Sequence, residues 1–83
     1  MIVASSLSRS QRFTVMIEWE GDGYVSLCPE LDIASQGESV EDAKLNLKEA
    51  IELFFEVADA SEVRSRLSNE FFITSLDVNL GAS

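Results

Sequence analysis

The sequence predicts a small α+β domain, ordered β-β-β-α-β, with a three- to four-stranded sheet packed on one helix. Three observations predict it. An alternating apolar run precedes a glycine turn, apolar residues recur at helical steps between Val40 and Ala58, and an apolar run from Phe71 to Leu80 closes the chain. With 83 residues and 46% hydrophobic content, the chain fits one folded domain with a modest core and no second module.

The first strand is expected within Gln11–Glu20. Phe13, Val15, Ile17 and Trp19 share one face, which reads as buried; Thr14, Met16, Glu18 and Glu20 share the other. Gly21-Asp22-Gly23 suits a hairpin turn, and Tyr24 to Cys28 is a second strand that Pro29 ends, because proline has no N–H to pair. Ile33 to Gln36 reads as a short third strand closed by Gly37. Ser39 caps a helix, with Asp42 three residues on as an aspartate version of the capping box. Val40, Ala43, Leu47, Ala50, Ile51, Phe54, Val57 and Ala58 form one apolar stripe, giving a helix about 28 Å long at 1.5 Å per residue. Ser61 to Asn69 allows a further helical turn or short helix. Phe71 to Leu80 is expected as the last strand, with Phe71, Phe72 and Ile73 placing apolar groups on both its faces. Residues 1–10, with Ser5, Ser6, Ser8 and Ser10, read as a flexible lead-in, 11–80 as the domain, and 81–83 as a tail.

Charge bears on function. Fifteen acids face six bases, for a formal charge of −9. Such a surface repels nucleic-acid phosphates and anionic membranes, so neither is an expected partner. It attracts a basic partner; equally, acidity by itself serves solubility. The chain has no histidine, which removes the usual general base and the commonest metal ligand. The single cysteine, Cys28, lies in a strand-like run and reads as a small buried hydrophobe. No cofactor, metal or catalytic set is expected, and the chain is not read as an enzyme. The start shows no basic region before its short apolar run, so no signal peptide is expected. No apolar stretch approaches the roughly 18 residues of a membrane span. A cytoplasmic protein is the expectation.

Tyr24 to Glu56, YVSLCPELDIASQGESVEDAKLNLKEAIELFFE, resembles the core of the HicB antitoxin family. The likeness runs through Pro29-Glu30-Leu31, Gln36-Gly37-Glu38-Ser39, Glu41-Asp42-Ala43, Asn46-Leu47 and Glu49-Ala50-Ile51, and FFITSLDV from Phe71 to Val78 is similar to the family's closing strand. The ordered combination carries the likeness rather than any one piece. The chain departs from the common family turn by placing Asp32-Ile33 after the leucine. It also stops at Ser83, without the DNA-reading segment many members append, so it reads as a short form. The resemblance implies a partial ribonuclease-H-like fold. It further implies a partner, a small basic HicA-type toxin that cleaves mRNA and whose RNA-binding surface the antitoxin occludes.

Several residues admit two readings. Glu49, Glu52 and Glu56, with Asp59 and Glu62, cluster around the helix C-terminus, where the macrodipole is already negative. They form either a patch for a basic partner or a solvated helix face. Trp19 and Tyr24 flank the first turn and serve hairpin packing or, alternatively, a partner-facing anchor. Glu18, Glu20 and Asp22 raise the possibility of a degenerate metal-dependent nuclease, against which stands their service as solvent-face acids guarding a strand. Phe55 lies at the edge of the helical stripe, where a second subunit would cover it. With Phe71, Phe72 and Ile73 it forms the expected oligomer contact, in a homodimer or homotetramer. The leading reading is a HicB-like antitoxin; the alternatives are an unpartnered HicB-like oligomer with a structural or regulatory role, and the degenerate nuclease.

Overall fold

Among the described residues the alternating and helical patterns resolve into five elements. The computed structural model of the protein describes residues 11–81; the lead-in expected over 1–10 and residues 82–83 of the tail lie outside them. Strands β1 (Met16–Trp19), β2 (Tyr24–Cys28) and β3 (Ile33–Gly37) form an antiparallel sheet in the order β1-β2-β3. Helix α1 (Val40–Val57) follows, then helix α2 (Ala60–Leu67). The protein is a small α+β domain of order β-β-β-α-α.

The hairpin and caps form where the local chemistry placed them. Trp19 pairs with Tyr24, and Glu20 N–H donates to the Gly23 carbonyl at 2.8 Å, leaving Gly21 and Asp22 as a two-residue tip. Gly21 takes φ 92° there, a conformation that primed hairpin turns require and glycine adopts without strain. Ser39 caps α1 by accepting from Asp42 N–H at 3.0 Å. Between β3 and that cap, Gly37 lies hard against the first helical turn. A Cβ on it would stand 2.7 Å from the Asp42 Cβ and overlap the Ala43 nitrogen.

The register sets Ile17, Trp19, Tyr24, Ser26, Cys28, Ile33 and Ser35 on one sheet face. Helix α1 packs on that face. Cys28, Leu31 and Leu47 are fully buried, with Phe13, Ile33 and Ile51 packed around them. Ser26, also fully buried, donates from Oγ to the Ala43 carbonyl at 2.8 Å, so its polar atom is satisfied inside the core.

Two expectations are corrected. The strand expected over Gln11–Glu20 is confined to Met16–Trp19, and its inward face is only partly covered: Val15 is 36% and Trp19 57% exposed. The cause is helix placement, since α1 lies along β3 and β2 and barely reaches β1. Upstream, the register would set Thr14 opposite Pro29, which has no N–H to return. The ladder is not continued there; the Thr14 N–H instead donates to the Glu30 carboxylate, at 2.9 and 3.0 Å, as does Thr14 Oγ1 at 2.8 Å.

The second correction concerns the C-terminus. Ser61–Asn69 does hold a helix, α2, capped by Asp59. Phe71–Leu80, expected as the last strand, forms none: it runs without turn or bend and pairs with no strand among the described residues. A strand needs a neighbour to take up its backbone hydrogen bonds, and among the described residues the segment meets none after leaving α2. Phe71 is half-buried, whereas Phe72 is 81% and Ile73 61% exposed.

Candidate functional site

The hairpin tip projects past the end of β3, and the space between them is a concavity of about 460 Å³. Its lining includes Glu20, Asp22, Tyr24, Gln36 and Glu38. Glu20 and Asp22 come from the turn. Glu38 comes from the short link between β3 and α1, brought across by the pairing of Tyr24 with Gly37. Three carboxylates and a tyrosine around a shallow hollow suit a lysine or arginine side chain, which gains both charge pairing and a ring to lie against. Trp19 stands beside it, its ring edge-on to Tyr24 at 5.1 Å. Of the two aromatics expected to flank the turn, Trp19 is exposed and Tyr24 half-buried.

The second candidate set lies elsewhere. Glu49, Glu52 and Glu56 are exposed on the side of α1 away from the sheet. Glu52 pairs with Lys48 at 3.0 Å. Glu52 sits twelve residues past the first residue of α1, about 18 Å along the axis, so the acidic stripe and the hairpin concavity are separate surfaces. Asp59 and Glu62 do not extend the stripe. Asp59 caps α2, accepting from Glu62 N–H at 2.8 Å, and that bond, with one from Ser61, lowers its carboxyl pKa. Glu62 lies in the first turn of α2, where the helix dipole favours an acid.

Phe55 is covered in part by its own chain. It stacks on Phe13 at 6.1 Å and meets Phe54 edge-on at 5.3 Å, yet stays 37% exposed. Phe71, Phe72 and Ile73 lie in the unpaired C-terminal segment, joined neither to Phe55 by any aromatic contact nor to the hairpin end. Of the acids weighed as metal ligands, Glu20 and Asp22 line the concavity and Glu18 does not. Among the described residues no group of three or more histidine, cysteine, aspartate or glutamate side chains is placed to hold a metal. Cys28 is buried, and burial pushes its thiol pKa up, away from thiolate.

Two residues were not singled out from sequence. Glu38 joins the concavity through the hairpin register, which no local pattern specifies. Glu30 holds Thr14 by a contact across 16 residues that no local pattern specifies. Burial raises the Glu30 carboxyl, but the hydrogen bonds from Thr14 outweigh it and set its pKa below the ordinary 4.5.

No helix among the described residues is long and apolar enough to cross a membrane. Comparison with family models, with curated proteins and with solved structures finds no match for the chain.

Proposed function

We propose that this chain is a HicB-like antitoxin that binds and occludes a small basic ribonuclease of the HicA type. The observation that supports the reading is its unneutralised acidic surface. Among the described residues only two of the fifteen acids, Glu52 and Glu62, pair with a base. The free carboxylates include the hairpin-end trio and much of the outer face of α1, so a basic protein finds acceptors on two sides of the domain. Steering is the work of these charges, and affinity rests on a few desolvated anchors, with Trp19 and Tyr24 the aromatic candidates. The function is binding, not catalysis, and its seat is cytoplasmic, with the mRNA such a toxin cleaves.

The test is association kinetics with a purified HicA-type ribonuclease at several salt concentrations. The association rate is expected to fall steeply with salt and to slow when Glu52 and Glu56 are both reversed to lysine. Absence of any complex, or rates indifferent to salt and to charge reversal, would overturn the reading. The unpartnered-oligomer reading draws support from the exposed apolar C-terminal segment.

A further inference from the structure

The segment from Phe71 to Leu80 has the make-up of a strand and lacks a sheet. Phe72, Thr74, Leu76, Val78 and Leu80 alternate onto one side. The four apolar members are 81%, 79%, 65% and 89% exposed for Phe72, Leu76, Val78 and Leu80. Such a row is rarely left in water, and the backbone along it is equally unpaired.

The sheet has one edge to match. The β3 edge lies beneath α1, and the Gln36 carbonyl already accepts from Asn46 Nδ2 at 2.7 Å. Among the described residues neither strand nor helix lies along the β1 edge. Beside it the apolar face that α1 fails to cover shows Val15 and Trp19, with Phe55 at the margin.

The arm does not reach its own β1. Its root is held where Arg66 donates to the Leu31 carbonyl and lies over the Phe54 ring at 5.1 Å, and beyond it Phe72, Leu76, Val78 and Leu80 stay exposed rather than packed on β1. From there it leaves the body: the molecule measures 64 Å along its length against 29 and 22 Å across. Ten extended residues at about 3.3 Å each reach about 33 Å, long enough to lie along a strand of a second molecule.

We propose that Phe71–Leu80 of one copy adds as a strand to the β1 edge of a second copy, reciprocally, giving a closed two-fold dimer. The even-numbered apolar side of the arm completes the layer over Val15, Ile17 and Trp19. Exchange satisfies both arms and both edges at once, and two-fold symmetry stops it from propagating. Two copies, each of charge −9, repel, so salt strengthens this contact. Salt weakens capture of a basic partner, so the two interactions are separable.

Trp19 is the only tryptophan and reports the event. Sedimentation velocity and Trp19 emission are followed together from nanomolar to micromolar concentration. The comparison is with the chain ending at Asn69 and with a Leu76→Asp/Val78→Asp variant. The expected result is a dimer mass with a blue shift of Trp19 that grows with concentration and with salt. In both variants the dissociation constant rises on the order of 100-fold, while the far-ultraviolet dichroism of α1 is retained. A monomer throughout would overturn the proposal, as would a dimer that survives loss of the arm. So would a blue-shifted Trp19 independent of concentration, which means the arm lies on its own chain.

Discussion

Two parts of this molecule carry comparable apolar residues and meet opposite fates. Under α1, Cys28, Leu31, Ala43 and Leu47 are fully removed from water, and even Ser26 is buried with its hydroxyl satisfied. In the C-terminal arm, Phe72 and Leu80 are 81% and 89% exposed. The difference lies in what faces each segment. Ser26 and Cys28 look into a helix held close by Gly37 and Ser39, whereas the arm looks into solvent. Burial is a property of pairs of surfaces, and among the described residues the arm has only one of the pair.

The comparison breaks first at the core. Leu47→Ala removes a fully buried side chain at the centre of the packed half and is expected to cost about 2–5 kcal/mol. For a domain this small, such a loss approaches its whole stability. Urea unfolding followed by dichroism is the measurement, because the half-exposed Trp19 reports the core poorly. No change in midpoint would mean that α1 does not pack there.

Gly37→Ala tests the closeness rather than the apolarity of that packing. The added methyl meets backbone, which has no room to yield, and about 1–3 kcal/mol of destabilisation is expected. Gly21→Ala makes a useful control: nothing lies within 4 Å of a Cβ at Gly21, so any cost there comes from its φ alone.

Glu30→Gln sharpens the comparison at the margin of the core, where a side chain replaces a missing ladder. Loss of the charged acceptor for Thr14 is expected to cost about 1–2 kcal/mol at neutral pH. The folded-state pKa of Glu30 lies below its unfolded value. Its contribution is therefore complete above pH 4.5 and is lost as pH falls through the lower folded-state value. Stability curves of the two proteins should converge in that acid range. Curves that stay parallel down to the lowest pH would remove the Thr14–Glu30 link as the cause.

The smallest effect on the isolated chain is expected in the arm. Leu76→Asp with Val78→Asp should change the unfolding free energy of the monomer by less than about 0.5 kcal/mol, because neither side chain is buried in it. A larger loss, measured at a concentration where the protein is monomeric, would show that the arm packs against its own domain.

Much of the domain was legible without coordinates. The alternation before Gly21, the punctuation at Pro29 and Gly37, and the Ser39–Asp42 cap are local features, and local sterics and hydrogen bonding determine them. Hence β2, β3 and α1 lie within a residue or so of where the pattern put them. Of the candidate site, the exposed acids Glu49, Glu52 and Glu56 could be read from helical spacing, because a helix assigns its faces by period. The hairpin concavity could not, since Glu38 joins Glu20 and Asp22 only through the register of β2 with β3.

The sequence by itself determined which segments turn, which extend, which coil into helix, and which side of each is apolar, because these depend on residues a few positions apart. The tertiary structure alone decided that α1 lies over β3 rather than β1, leaving Trp19 exposed, and that Phe71–Leu80 finds no edge among the described residues. Period two declares that a segment can be a strand. Which sheet it joins depends on where α2 releases it, and that is set by contacts such as Arg66 with Leu31 across 35 residues of separation.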